Sequence, residues 1–293
     1  MKHISKLYEY ILVASVFSLW AAIQLPENVE IFVGYFMILT VGIGHGANDL
    51  KIYFRNKELG IRKTAGFISI YAVAVLLGFG TFFIIPKITL SLFILVSGFH
   101  FGQEHFERFS VQTTWAHNIF YTAYGTSIII ALLYLQSASS IPILEELVDL
   151  KLLPWHLQYV LYGSTITTIL LGVLLLRKLS MYTLLKELFY YVVILLIFNV
   201  SSLVWGFAIY FILWHSLPSI HHQIAHLYGD VHRGSIWDYV KASSLYWLAA
   251  LIFLYILYSI LNEQATLFLT IIVAFLGGIT FPHVLVMHRI HEE

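Results

Sequence analysis

The sequence has no cysteine and very little charge. The absence of cysteine from all 293 residues excludes disulfide bonds, thiolate metal ligands, iron–sulfur clusters and a cysteine nucleophile. Charged residues make up 11% of the chain, and 16 Lys and Arg balance 16 Asp and Glu. Because average soluble domains carry about 25% charged residues, this chain has too little polar surface for an ordinary cytosolic enzyme. Without net positive charge or a basic run, we expect no nucleic-acid partner.

Apolar residues and histidine are abundant instead. Hydrophobic residues account for 59% of the chain, 14 residues are histidine, and the mean hydropathy is +0.83. We predict an all-α polytopic membrane protein with about ten transmembrane helices (eight to ten), each of roughly 20 apolar residues, in a single domain, 1–293. The predicted spans are 7–25, 30–45, 65–85, 88–104, 118–136, 157–177, 186–200, 201–217, 239–261 and 265–287. Spans seven and eight, divided by Asn199-Val-Ser-Ser202, form two helices or one long, broken helix.

The distribution of basic residues predicts the orientation. With ten spans and a cytoplasmic N-terminus, 14 of the 16 Lys and Arg fall on the inner side, and only Lys87 and Lys151 fall outside. This asymmetry follows the positive-inside rule, so we expect both termini in the cytoplasm and a multi-pass protein of the cell (inner, cytoplasmic) membrane. The outer segment 137–156 predicts a short amphipathic helix at the membrane interface.

In this topology, four even-numbered spans each carry a histidine to the cytoplasmic half of the membrane. These histidines are His45, His100, His215 and His283. Ionisable groups at such depth are costly and usually face an interior cavity, and neutral imidazole is a common ligand of iron, copper and zinc. Their arrival at one level predicts a metal site inside the helix bundle. Histidines in termini or predicted loops are attributed to solvation; they are His3, His117, His156, His232 and His291.

Other polar residues are candidates for the same site. His221 and His222 follow Pro218, where we expect the helix to break, so they are either further ligands or part of a surface segment. Asp49 and Glu104 come four residues after His45 and His100. Each carboxylate is placed to accept the second ring N–H of its histidine, and Glu104 is alternatively a direct ligand. Aromatic residues near these positions are candidates for lining a substrate path or for packing; they are Phe99, Phe101, Phe106, Tyr121, Tyr124, Tyr210, Phe211, Trp214 and Phe281.

Four short motifs together resemble the Brp/Blh family of bacterial and archaeal membrane β-carotene 15,15′-dioxygenases. They are His45-Gly-Ala-Asn-Asp49, His100-Phe-Gly102, Trp214-His215-Ser216 and Pro282-His283. The resemblance covers about residues 30–290. It implies cleavage of the central double bond of β-carotene by O₂, giving two molecules of all-trans-retinal. It also implies Fe²⁺ held by histidines, here His45, His100 and His215, and a functional link to a retinal-binding rhodopsin.

The sequence departs from the family pattern at two positions. Family members commonly have a second histidine four residues after the one that matches His215, and here that residue is Ser219. We expect His283 to complete the ligand set, with His221 and His222 as alternatives. The family's acidic residue five positions after the second motif histidine is replaced by His105, with Glu104 just before it, so both are assigned to the surroundings of the metal, as is Asp49.

Two other classes remain open at this point. The first is a membrane di-iron oxygenase related to fatty-acid desaturases and hydroxylases, although the sequence contains no complete set of histidine boxes. The second is a proton-linked transporter that uses membrane histidines as relay groups, although no internal repeat is evident.

Overall fold

Helices account for nearly all of the structure. The computed structural model describes residues 2–55, 60–109, 114–260 and 265–292, and these contain helices, turns and bends but no strand. The helices are α1 (Lys2–Gln24), α2 (Glu27–Met37), α3 (Ile43–Gly46), α4 (Asp49–Tyr53), α5 (Ile61–Ile84), α6 (Pro86–Glu107), α7 (Trp115–Leu135), α8 (Ser137–Val148), α9 (Pro154–Leu175), α10 (Met181–Val200), α11 (Leu203–Ile209), α12 (Leu217–Tyr228), α13 (Arg233–Ile260) and α14 (Ala265–Glu292). Two π-helical segments, Ile38–Gly42 and Tyr210–Ser216, join α2 to α3 and α11 to α12.

Nine helices in the described ranges are long and apolar enough to cross a membrane. They confirm a polytopic helical membrane protein and match every predicted span except the fourth. That span forms α6, whose last third is polar because it carries His100, Gln103, Glu104, His105 and Glu107. The amphipathic segment after span five does form a helix, α8; its place at the interface and the orientation of the termini stay predictions.

The structure separates spans seven and eight at a polar joint. Helix α10 ends at Val200, and the Ser202 side chain caps α11 by accepting the Trp205 backbone N–H. Glu30 on α2, only 3% exposed, accepts the backbone N–H of Ser202 at 2.8 Å. Helix ends in an apolar environment need such partners because their first N–H groups have none within the helix. The joint therefore divides the apolar run into two helices.

The described residues group into two compact units, and the prediction of a single domain stays a prediction. The first unit consists of the chain up to Ile38 together with Ser97–Pro142 and Lys151–Pro218. Within it, α1 packs on α10, α2 on α11 and α7 on α9. The indole of the fully buried Trp214 donates a hydrogen bond to Ser15 Oγ at 3.0 Å, which links the π-helical segment Tyr210–Ser216 to α1.

The second unit consists of Leu39–Val96, Ile143–Leu150 and the chain from Ser219 onward. Here α14 packs against α4 and α5, and α13 packs against α3. A small core joins three of these helices and is formed by Ile52, Val286, Met287 and Ile290, with Tyr53, Phe67, Tyr71 and Leu227 packed around it. This core holds the end of α4 and the second half of α14 beside α5.

The orientation can be tested directly because the sequence has no native thiol. Lys151 and Lys178 are exposed at the two ends of α9, so single Lys151→Cys and Lys178→Cys variants report on opposite sides of one span. We expect a membrane-impermeant maleimide to label the Lys151→Cys variant in intact cells and the Lys178→Cys variant only after permeabilisation. The reverse pattern would invert the orientation, and equal labelling would show that α9 does not cross the membrane.

The hydrogen bond between Ser202 and Glu30 predicts a loss of stability when the Glu30 carboxylate is removed. Glu30→Leu leaves the half-buried backbone N–H of Ser202 without its acceptor and should lower the free energy of unfolding by about 1–3 kcal/mol. Glu30→Gln keeps an acceptor oxygen and should cost less. The measurement is the thermal midpoint of the purified protein in detergent, with Glu27→Leu, at an exposed position of the same helix, as control. An unchanged midpoint in Glu30→Leu would show that the joint does not depend on this bond.

Candidate metal centre

The first unit contains one pair of predicted ligands, His100 and His215. His100 lies on α6 and His215 in the π-helical segment Tyr210–Ser216. Both side chains are buried, each 2% exposed, and their ring centroids are 4.8 Å apart with the rings nearly perpendicular. Two neutral imidazoles this close are a suitable pair of nitrogen donors for a transition metal.

Close packing between α6 and α7 positions His100. His100 is the middle residue of the sequence Gly98-Phe-His-Phe-Gly102, a small-xxx-small pattern that lets membrane helices approach closely. A Cβ atom at Gly102 would overlap the Tyr121 carbonyl group on α7, and one at Gly125 on α7 would overlap the Gly98 carbonyl group. The two backbones therefore touch on either side of His100, which fixes the position of His100 relative to α7.

A π-helical turn contains His215, and two aromatic rings pack against its side chain. In a π-helix the hydrogen bonds span one extra residue, and such turns occur frequently at functional sites. Phe211 stacks on the His215 ring with the planes 15° apart, and Phe101 packs on it at a centroid distance of 4.5 Å. Phe207 stacks in turn on Phe211. These rings leave the His215 side chain little freedom to rotate.

The second unit contains the other pair, His45 and His283. His45 lies on α3, immediately after the π-helical segment Ile38–Gly42, and its Nδ1–H donates to the Gly42 carbonyl group. His283 follows Pro282 within α14. The two side chains are 6% and 4% exposed, and their ring centroids are 4.9 Å apart at an interplanar angle of 87°. Each unit thus buries two imidazoles edge to face.

Asp49 supports a different histidine from the one that its spacing suggested. The His283 Nδ1–H donates to Asp49 Oδ1 at 2.8 Å, whereas the spacing of four residues pointed to His45. The helical register is lost between them, because α3 ends at Gly46 and α4 begins at Asp49. The Tyr71 hydroxyl donates to Asp49 Oδ2 at 2.6 Å. The sequence analysis did not identify Tyr71, which lies within an apolar span and belongs to none of the motifs.

The helix continues through Pro218, so the predicted break there is wrong. Residues Leu203–Tyr228 form one continuous helix, and Pro218 is the second residue of α12. Proline lacks an N–H and clashes with the carbonyl group four residues earlier; here the residues before it are π-helical, a winding with wider hydrogen-bond spacing. His221 and His222 are consequently on a spanning helix, where both are half-buried.

Ser219, which replaces the family's second histidine, belongs to a buried polar chain in the second unit. Gln223 Nε2 donates to Ser219 Oγ at 3.1 Å. The Tyr239 hydroxyl lies 2.7 Å from Gln223 Oε1 and 3.1 Å from the carbonyl oxygen of His45. Ser219 and Gln223 are fully buried. Ser219 is thus connected through Gln223 to Tyr239, whose hydroxyl lies beside the backbone carbonyl group of the predicted ligand His45.

His105 takes part in a buried ionic cluster of the first unit. Its Nε2–H donates to Glu187 Oε2 at 2.9 Å, Arg108 donates to the same carboxylate, and the Arg108 guanidinium lies 3.6 Å from the Tyr8 ring centroid. His105 also stacks on Tyr124. Glu104 is 5% exposed in the same unit. Their assignment to the surroundings of the metal stays a prediction.

One histidine attributed to solvation is buried instead. His117 lies on α7, which begins three residues before the predicted span, and it is 7% exposed with Nδ1 2.8 Å from Thr114 Oγ1. His156 is half-buried and His232 is exposed. The side chains of His3 and His291 lie outside the described residues.

The donor atoms in both pairs suit a metal of intermediate softness. All four predicted ligands are imidazoles, and the chain offers no thiolate; imidazole donors suit iron, copper, nickel and zinc. The His283–Asp49 hydrogen bond is the carboxylate support that metal-binding histidines usually have. The fold and these residues define a polytopic membrane protein with buried histidine groups that could bind a metal.

Comparison with known families identifies the reaction. The sequence model of the β-carotene 15,15′-dioxygenase family matches residues 36–291, which is most of the chain and includes every predicted ligand. The chain therefore belongs to this family of oxidoreductases, which confirms the resemblance and the predicted cleavage of β-carotene at the 15,15′ bond. No curated protein and no solved structure matches the sequence.

The close approach of α6 and α7 predicts that a single methyl group will displace His100. Gly102→Ala and Gly125→Ala should lower both the yield of folded protein and the metal content, because the added Cβ meets backbone rather than a movable side chain. Gly163→Ala on α9 is the matched control, since a Cβ there has nothing within 4 Å. Yield by size-exclusion chromatography and metal by elemental analysis give the measurement; normal values for Gly102→Ala would contradict the packing described.

Proposed function

We propose that this family member cleaves β-carotene at a non-haem Fe²⁺ held by His45, His100, His215 and His283. In the overall reaction the C15=C15′ bond breaks and each carbon gains one oxygen atom of O₂, giving two molecules of all-trans-retinal. The single observation that carries the proposal is that all four histidines are buried and lie in two edge-to-face pairs, in a chain of this family.

The ligand set is compatible with iron, and the oxidative reaction of the family favours iron over redox-inactive zinc. Bound ferrous iron would supply the open coordination positions at which O₂ is activated. Four neutral nitrogen donors leave the charge of the metal uncompensated, whereas carboxylate ligands would favour higher oxidation states. The protein contributes by burying the imidazoles and by fixing their ring orientations, through Asp49 for His283 and through the Gly42 carbonyl group for His45.

His283 is a better fourth ligand than His221 or His222. It is buried, lies edge to face with His45 and has a carboxylate at its Nδ1. His221 and His222 are only half-buried. A ligating imidazole is usually fixed by an acceptor for its second N–H, and His283 meets that requirement with Asp49.

The substrate is a long apolar polyene that dissolves in the bilayer, so we infer that it reaches the site through the membrane. The rings that surround His215 in the first unit are suited to contact it. Phe207 and Phe211 stack almost in parallel with the His215 ring, and Phe101 packs against Tyr210 at 5.5 Å. Flat, fixed rings beside a ligand would hold the polyene in one register and so select the central bond.

The cellular setting follows from the same proposal. A multi-pass protein with the predicted orientation would lie in the inner (cytoplasmic) cell membrane, take O₂ and β-carotene from the bilayer, and release retinal for a membrane rhodopsin. The family match supports this function over a di-iron desaturase or a proton-linked transporter, because either would need a different family relationship.

The proposed ligands predict which histidines the metal needs. His45→Ala, His100→Ala, His215→Ala and His283→Ala should each abolish bound iron and retinal formation in β-carotene-producing cells, while the protein still accumulates in the membrane. His232→Ala is the control, because that side chain is exposed and hydrogen-bonded to Asp230. Full activity after the iron is removed would refute the proposed centre.

The fourth ligand needs a separate comparison. His221→Ala and His222→Ala should keep at least most of the iron that His283→Ala loses. Normal iron content and turnover in His283→Ala, with loss in either of the other two variants, would assign the position to α12 instead.

A further inference from the structure

Tyr71 reaches a proposed iron ligand through one intervening carboxylate. Its hydroxyl donates to Asp49 Oδ2 at 2.6 Å, and Asp49 Oδ1 accepts the His283 Nδ1–H at 2.8 Å. The three side chains come from three helices, α5, α4 and α14. Asp49 and His283 are 3% and 4% exposed, so solvent does not compete for these hydrogen bonds.

Each oxygen of the Asp49 carboxylate accepts from a different partner, Oδ2 from Tyr71 and Oδ1 from His283. A carboxylate held at one oxygen can rotate about its Cβ–Cγ bond, and His283 Nδ1 lies within reach of both oxygens, at 2.8 and 3.0 Å. The bond from Tyr71 fixes the position of Oδ2 and thereby the direction in which Oδ1 faces His283. With its proton fixed on Nδ1, the imidazole has its lone pair on Nε2, the atom left for the metal.

The surrounding packing keeps the Tyr71 hydroxyl in place. The Tyr71 ring lies against the small core of the second unit, which includes Ile52 on α4 and Met287 on α14, and 5.8 Å from the ring of Phe67. The same core thus holds the helices that carry Asp49 and His283. Packing fixes the position of the Tyr71 ring, and the Tyr71 hydroxyl in turn fixes the orientation of the Asp49 carboxylate.

We propose that Tyr71 is a positioning residue for iron binding, which acts through Asp49 to fix the orientation and tautomer of His283. The proposal rests on the proposed function in one respect, namely that His283 is a ligand. Because Tyr71 acts through Asp49, we expect it to affect the affinity for the metal and not the cleavage step.

The first test removes only the hydroxyl. Tyr71→Phe in the purified full-length protein should weaken Co²⁺ binding about tenfold, the lower end of the effect of losing such support, and should change the Co²⁺ absorption bands because the ligand field changes. Turnover should recover when Fe²⁺ is added in excess. Tyr191→Phe is the matched control, because its hydroxyl donates to Ser127 Oγ in the first unit; it should leave Co²⁺ binding unchanged.

A double-mutant cycle separates positioning from packing. If Tyr71 acts through Asp49, then Tyr71→Phe should have no further effect on Co²⁺ affinity in an Asp49→Ala background, and the two single effects should be strongly non-additive. An equal loss in both backgrounds would overturn the proposal, since Tyr71 would then act independently of Asp49. Should Asp49→Ala fail to accumulate, Asp49→Leu replaces it, because a leucine side chain of similar shape has no oxygen to accept a hydrogen bond from Tyr71 or His283.

The outcomes also distinguish the proposed role of Tyr71 from the proposal that His283 is a metal ligand. Normal Co²⁺ affinity in His283→Ala would refute His283 as a ligand and with it the role of Tyr71. Loss of Co²⁺ binding in His283→Ala, together with normal affinity and spectrum in Tyr71→Phe, would overturn only the inference about Tyr71.

Discussion

Hydrocarbon offers no hydrogen-bond partner, so a polar group within a membrane helix has to be satisfied by another part of the chain. In this protein that requirement is met between helices at two important places. Glu30 on α2 accepts the backbone N–H of Ser202, which precedes α11. Asp49 on α4 accepts hydrogen bonds from Tyr71 on α5 and His283 on α14. Because each carboxylate has its partners on other helices, moving one helix exposes an unpaired polar group. The cost of that exposure, about 1–3 kcal/mol for each group, opposes the movement and keeps the neighbouring helices in register.

Helix irregularity coincides with the predicted ligands. One π-helical segment, Ile38–Gly42, ends three residues before His45, and the other, Tyr210–Ser216, contains His215. A π turn shifts the residues after it around the helix axis relative to a regular α-helix, and it is stable only where the surroundings favour it. At His215 the surroundings are the stacked rings of Phe207, Phe211 and Phe101; at His45 they include the Tyr239 hydroxyl near its carbonyl group. The irregular turns therefore set the direction of both imidazoles.

The sequence was sufficient for the membrane class, most of the spans and the family. The apolar runs and the short motifs around His45, His100, His215 and His283 are local signals, because each can be recognised within one continuous stretch of sequence. Three features could not be predicted, because they depend on contacts between distant segments. Asp49 pairs with His283, 234 residues away, because the turn after α3 ends the helical register. Tyr71 carries no local signal in its apolar span. Pro218 continues a helix because the turn before it is π-helical, which hydrophobic periodicity does not reveal.

The hydrogen bonds around Ser219, which replaces a histidine of the family pattern, differ from those around His283. A ligating imidazole usually needs an acceptor for its other N–H. Ser219 accepts a hydrogen bond from Gln223, which is bonded in turn to Tyr239. His283 instead has Asp49, which the Tyr71 hydroxyl holds in place. The proposal of His283 as the fourth ligand therefore rests on its burial and on its hydrogen bond to the buried Asp49.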